Sequence, residues 1–162
     1  MHDKADAGLC DVMDSAYLTG QRVTDTRLID ECDVREDQIW VLLGKTKAKR
    51  RIEVIRELKA LIDRIMNQKS THKVRSMRLI ESKDGTPMTR EILRRKFDMV
   101  REAAGVAKPE FQMRDLRAKA GTDKAESSGD IMQTKDQLGH NTVVMTEQYI
   151  RNRKGKKVSP TK

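Results

Sequence analysis

The residues best equipped for chemistry lie in one stretch, Leu-Gly-His-Asn-Thr-Val-Val-Met-Thr-Glu-Gln-Tyr-Ile at 138–150. It holds His140 after a glycine and Tyr149 nine residues later, in a chain with three histidines and two tyrosines. A phenol is a usable nucleophile toward phosphorus when cations surround the reacting group. A nearby imidazole can hydrogen-bond phosphoryl oxygens or move a proton. Such a pair needs arginines, a lysine and a basic face broad enough for DNA.

The composition meets the charge requirement. Of 162 residues, 36% are charged and the formal net charge is +9. That balance points to a nucleic acid or another anionic surface as partner. The bland alternative is a soluble helical protein rich in lysine and arginine. Aromatics make up only 3%, so the core must be built from Leu, Ile, Val, Met and Ala. This length makes one domain, or one domain with a tail. No apolar run approaches the roughly 20 residues of a membrane span. The opening Met-His-Asp-Lys-Ala-Asp-Ala-Gly lacks a signal-peptide apolar region. A cytoplasmic protein, on the nucleoid when DNA-bound, is therefore expected, with no membrane partner. Cys10 and Cys32 match no metal-ligand spacing and read as reduced thiols, Cys10 on an apolar helix face. The sequence has no Gly-rich phosphate loop, paired carboxylates or histidine cluster. No metal and no cofactor is expected.

The elements that must position the pair read as mostly helical. Leu9, Val12, Met13, Ala16 and Tyr17 recur at helical spacing over 4–18, which makes Tyr17 a core residue and a poor rival to Tyr149. A second helix is predicted from Val23 to about Asp30. Gln38 to Leu43 reads as a strand and Arg51–Val54 as its hairpin partner. The turn between them, Gly44 to Arg50, is almost all cation. Such a run is usually a solvated loop, but on a hairpin tip it can be pushed into a groove. An amphipathic helix follows over 56–68, with Leu58, Leu61, Ile62, Ile65 and Met66 on one side. Met77–Ile80 reads as a short strand. Thr89 reads as the cap of a helix to about Ala104, stopped by Gly105. Further helices are predicted over Phe111–Lys124 and Ile131–Leu138, then one capped by Thr142 that carries Tyr149. The expected fold is α+β, mostly helical with a small antiparallel sheet or hairpin. The domain is expected to span 1–150, and the basic segment 151–162 forms a tail.

Four separated pieces stand out: Thr19-Gly20-Gln21-Arg22-Val23-Thr24-Asp25, Gly44-Lys45-Thr46-Lys47, Arg114-Asp115-Leu116-Arg117, and Leu138-Gly139-His140 with Tyr149. Singly they are weak signals. In this order and spacing they resemble the tyrosine recombinase family, the phage-integrase type, over about Ala16 to Ile150.

The resemblance implies a metal-free DNA strand transfer by the catalytic domain of a site-specific recombinase. Charge builds on the non-bridging oxygens of a phosphodiester under attack, and a guanidinium can bond two such oxygens at once. By the resemblance, Arg22 and Arg117 clamp the phosphate, His140 hydrogen-bonds it, and Tyr149 attacks it to leave a 3′-phosphotyrosine and a free 5′-hydroxyl. Lys45 is the general acid toward the leaving oxygen, with Lys47 the rival. Asp25 holds Arg22 and the second helix. Lys47, Lys49, Arg50, Arg151 and Arg153 would grip double-stranded DNA. The expected assembly is a homotetramer on DNA, with the tail docked on a neighbouring protomer or left as a weak phosphate contact. The family's second, N-terminal clamp domain is expected to be absent from this chain. Tyr149 is expected to be displaced without DNA, given the short helix and charged tail around it.

One position departs from the pattern. The family usually shows His-x-x-Arg where this chain has Arg114-x-x-Arg117. A guanidinium has no acceptor and cannot take a proton, so that duty would pass to His140, water or the phosphate, with Arg114 as a third cation. Two other readings stay open: a relaxase of the type IB topoisomerase kind, and a non-catalytic DNA-binding relative.

Overall fold

The computed structural model describes residues 1–42, 44 and 49–154, with side chains as far as 150. Its first helix, α1 (Ala7–Thr19), begins where the Asp6 side chain accepts the Leu9 amide at 2.9 Å. A 3-10 turn (His2–Lys4) occupies the start of the expected helix. Gly20 ends α1 in the left-handed conformation, at φ 67°, and the chain reverses there.

Helix α2 (Val23–Thr26) is a single turn, shorter than predicted. The reason lies beyond it. Residues 29–31 leave the helix to bond a later segment, with Leu79 N–H donating to Ile29 O at 2.9 Å and Glu31 N–H to Met77 O at 2.9 Å. The expected strand at Met77–Ile80 is thus reduced to one isolated bridge, between Asp30 and Arg78.

The sheet has three antiparallel strands in the order β1 (Val34–Arg35), β2 (Gln38–Leu42), β3 (Lys49–Glu53). Strand alternation sends Ile39 and Val41 inward, with Ile39 paired to Ile52 and Val41 to Arg50. Trp40 faces the other way, between Arg35 and Arg51 at 4.6 and 5.4 Å from its ring.

Helix α3 (Arg56–Ser70) buries Leu58, Leu61, Ile62 and Ile65, as its pattern demands, but leaves Met66 exposed. Helix α4 (Arg90–Ala103) is capped by Thr89, whose hydroxyl accepts the Ile92 amide. Helix α5 (Met113–Ser128) opens on a Gln112–Asp115 capping box and runs one turn past its predicted end. Asp130 caps α6 (Ile131–Leu138), and α7 (Val143–Lys154) continues beyond Ile150. One hydrophobic core joins α1, α3, α4 and β2 through Leu9, Val12, Ile62, Ile65, Leu93 and Ile39, and it takes in one aromatic ring, Phe97, beyond the aliphatic residues expected.

A buried charge knot closes the 71–82 loop over this core. The Lys69 ammonium meets Glu81 at 3.1 Å and Glu31 at 2.7 Å, and donates to the Ser76 and Arg78 carbonyls. Glu81 also accepts from the Ser76 amide and contacts His72 Nδ1 at 2.7 Å.

Candidate active site

Five of the sequence-predicted residues come together at one cavity of about 680 Å³: Arg22, Arg114, Arg117, His140 and Tyr149. Arg114, exposed one helical turn before Arg117, lines its edge.

Each side chain is positioned by backbone stitches. Gln21 is fully buried and donates to the Gln137 carbonyl at 2.7 Å, while Gln137 donates to Leu18 O at 3.3 Å. These bonds lace the turn after α1 to the end of α6. Arg22 therefore starts α2 beside the histidine segment, and its guanidinium pairs with Asp25 at 3.6 Å. Asp25 is itself buried and accepts the Gly44 amide at 3.4 Å. Arg117 is buried on α5 and donates to the carbonyls of Gly20 and Leu138.

His140 is placed by the end of α6. Gly139 is left-handed at φ 65°, its amide donates to Asp136 O, and the His140 amide donates to Lys135 O. This Schellman motif turns His140 off the helix axis. Leu138 packs so closely on α5 that a Cβ on Gly121 would sit 2.8 Å from its Cδ1. His140 Nδ1 lies 3.0 Å from the Thr146 hydroxyl on α7. Its ring meets that of Tyr149 edge-on, with centroids 5.4 Å apart.

Tyr149 is not withdrawn from the site. It is half-buried, lines the cavity, and its phenol sits close enough to Arg117 to help hold the guanidinium charge. Tyr17, expected in the core, is also only half-buried, because its hydroxyl donates to Asp123 at 2.7 Å.

The electrostatics carry the mark of crowded cations. Burial pulls the Arg117 guanidinium down to about 10, and Arg22 adds to the effect against opposition from Tyr149 and Asp25. Burial also pulls His140 from 6.5 to about 4, helped by Arg117 and Arg22. The imidazole is therefore neutral at pH 7. Two guanidinium groups, one neutral imidazole and one phenol around a cavity can bind a tetrahedral anion and offer it an oxygen nucleophile.

Other expected residues lie elsewhere. Arg50 donates to the Asp136 and Lys49 carbonyls, outside this cavity, and Lys49 is exposed at the start of β3. Lys45 and Lys47 fall outside the described residues, as do the side chains of Arg151 and Arg153. Sequence reasoning missed Arg27, Arg90 and Arg94, which line the same cavity. The one-turn spacing of Arg90 and Arg94 on a predicted helix was the available signal. It also missed Thr146, for which no sequence signal existed.

A family model for the phage integrase family matches residues 2–156. Among solved structures, a lambda integrase dimer bound to a COC′ core site matches with a TM-score of 0.80 at 20% identity, over 99% of this chain and 59% of that one. The lambda integrase catalytic core matches with a TM-score of 0.74 at 21% identity, over 86% of this chain and 88% of that one. The XerH site-specific recombinase bound to palindromic difH substrate, a post-cleavage complex, matches with a TM-score of 0.69 at 17% identity, over 94% of this chain and 46% of that one. At these identities the likeness shows the shared fold. The chain spans roughly half to three fifths of the DNA-bound chains it matches. No curated protein sequence matches.

Proposed function

The chain belongs to the phage integrase family, and from that premise we propose that it is the catalytic part of a site-specific tyrosine recombinase acting on double-stranded DNA. The convergence of Arg22, Arg117, His140 and Tyr149 on one cavity carries this reading. Arg22 and Arg117 hold the non-bridging oxygens of the scissile phosphate, with Arg114 at the rim as a third cation. His140 lies beside the same phosphate. The Tyr149 oxygen attacks phosphorus in line and the 5′ oxygen leaves, with Lys45 or its neighbour Lys47 as its proton donor. The 3′-phosphotyrosine conserves the phosphodiester bond energy, so a 5′-hydroxyl rejoins the strand by the reverse path. Fixed cations do most of this work. Removing one preorganised donor typically costs on the order of 10²- to 10³-fold in rate.

DNA would lie across the cavity mouth, where Arg27, Arg90 and Arg94 extend the cationic lining. Lys49, Arg50, Arg151 and Arg153 are further contacts in this reading, and binding is strongly salt-dependent. Exchange of strands between two sites calls for a homotetramer on DNA, with segment 151–162 docked on a neighbour. No helix among the described residues is long and apolar enough to cross a membrane, and the working location in this reading is the cytoplasm, on the nucleoid.

The test is incubation with a nicked suicide DNA substrate carrying the natural attachment site. A covalent protein–DNA band that Tyr149→Phe abolishes supports the enzyme. No band from the wild-type protein in its full-length form sinks it.

A further inference from the structure

Strand β3 opens on Lys49 and Arg50, directly after the segment 43–48 that carries Lys45 and Lys47. Arg50 pairs with Val41 across the sheet. Residues directly opposite share a face, and Val41 is buried, so the half-buried Arg50 points inward with it. There its Nε donates to the Asp136 carbonyl at 3.0 Å, and its Nη1 to the Lys49 carbonyl at 3.0 Å. Asp136 lies in the last turn of α6, and its carbonyl also accepts the Gly139 amide at 3.1 Å. A cation suits that end of a helix, where carbonyls lack intrahelical partners and the dipole is negative. Arg50 therefore fastens the start of β3 to the turn that delivers His140.

The other end of the same segment is fastened too. Lys49 pairs with Leu42, and two residues after Leu42 the Gly44 amide donates to Asp25 at 3.4 Å. Asp25 in turn pairs with Arg22. Residues 45–48 lie outside the described ones, but both flanks are tied to elements that carry phosphate-binding groups. One flank is joined to α2 beside Arg22, the other to α6 before His140. A general acid works only within hydrogen-bond reach of the atom it protonates. A lysine ammonium sits on a flexible four-carbon stem, so its placement depends on where its backbone is held.

We propose that Arg50 is a positioning residue: by joining β3 to the C-terminal turn of α6, it holds the lysine that protonates the leaving 5′ oxygen. The inference rests on the reading of Lys45, or its neighbour Lys47, as that acid. As the bond from phosphorus to the 5′ oxygen breaks, the ammonium gives that oxygen a proton, and Arg50 touches neither. A guanidinium has five N–H donors, so the tether leaves others for a DNA phosphate. A phosphate contact and the tether differ in which step they affect.

Replacing the scissile 5′ oxygen by sulfur separates the two. A thiol has a pKa of about 8.5, against about 15.7 for water, so the sulfur leaves without a proton donor. Single-turnover cleavage is measured with saturating full-length protein on nicked suicide substrates of both kinds. Arg50→Met keeps the aliphatic stem and loses both bonds. It should slow the oxygen substrate by about 3- to 10-fold, roughly the worth of one hydrogen bond, and leave the sulfur substrate within about 2-fold of wild type. Arg50→Lys, which keeps a cation, should fall between. Arg50→Met combined with Lys45→Met, or with Lys47→Met where that lysine is the acid, should be no slower on oxygen than the lysine variant alone. Arg50→Gln serves the same purpose if the methionine variant folds poorly. Equal slowing of both substrates, or an unchanged rate on oxygen in a folded variant, overturns the inference while leaving the lysine as acid. Sulfur that spares neither Lys45→Met nor Lys47→Met overturns the underlying reading of the acid, and the positioning role with it.

Discussion

Replacing Arg22 by Met removes one of two cations that keep the His140 imidazole neutral, and should raise its pKa from about 4. Burial is the largest cause of the depression, Arg117 the next and Arg22 the third, so the rise is partial. A unit charge at an effective dielectric of about 20 interacts by up to about 4 kcal/mol at contact distance and by less farther away. Solvent at the cavity mouth screens part of that. A rise of about 0.5 to 1 pH unit follows, each unit being worth about 1.4 kcal/mol. Arg22→Lys keeps the cation and should leave the value near that of the wild type. The assay is an NMR titration of the His140 ring proton, assigned with His2→Asn and His72→Gln variants. The titration runs from pH 7 down through the expected midpoint near 4. At pH 5, a ring with its pKa near 4 is roughly one-tenth protonated, whereas one at 6.5 is almost fully so. The sign for stability follows from the same shift. The folded-state value lies below the ordinary 6.5, so the fold disfavours the charged ring. His140's contribution is complete above pH 6.5 and is lost as pH falls from there toward about 4. A wild-type His140 that titrates near 6.5, or an equally low value in Arg22→Met, would refute the account of the cavity as a place of crowded cations.

Two further predictions concern the frame around the site. Lys69→Met leaves Glu81 buried opposite no ammonium, and should cost about 3–5 kcal/mol in urea unfolding at pH 7; a loss under 1 kcal/mol would mean the knot is not a structural tie. Burial pushes the Glu81 carboxyl up, but bonds from His72, Ser76 and Lys69 outweigh it and hold it below its usual range. Its contribution is present above about pH 4.5 and lost as pH falls through that depressed value. Gly121→Ala gains about 1 kcal/mol of helix propensity but brings a Cβ to 2.8 Å from fully buried Leu138. Overpacking costs about 1–3 kcal/mol, so thermal melting should show no gain or a net loss. A melting temperature raised by the full propensity gain would show that Leu138 yields freely.

The helices were legible where the chain itself dictates them. The stripe Leu58, Leu61, Ile62, Ile65 and the cap Thr89 are local signals, and they form as read. Misreadings arose where distant segments compete for the backbone. Residues 29–31 pair with 77–79, which no local pattern announces, and this truncates α2. Strand β1 was invisible because its turn to β2 uses Glu36 and Asp37 at φ 53° instead of a glycine. At the site, the arginines, His140 and Tyr149 could be picked out as residue types in a known order. Their burial could not. Nothing in the sequence says that Arg117 is held by the carbonyls of Gly20 and Leu138, nor that Thr146 meets His140. Those bonds join α1, α5, α6 and α7 and exist only after all four have packed.

The same bonds explain how cations can be held together before any phosphate arrives. Left to their own repulsion, Arg22 and Arg117 would separate; burial pulls the Arg117 guanidinium down to about 10, and Arg22 adds to that. Free arginines on a surface would swing apart into water. Arg117 cannot, because two backbone carbonyls fix its fork, and Asp25 restrains Arg22 from the other side. A cluster fixed in this way has its missing charge at a defined point. An anion entering the cavity offsets the cationic part of both shifts, since Arg22 contributes to each, while the larger part, due to burial, remains. Free-state frustration and complementarity to an anion are thus one property of the site. It is the arrangement in which fixed charges act without reorganising when charge builds on a phosphoryl group.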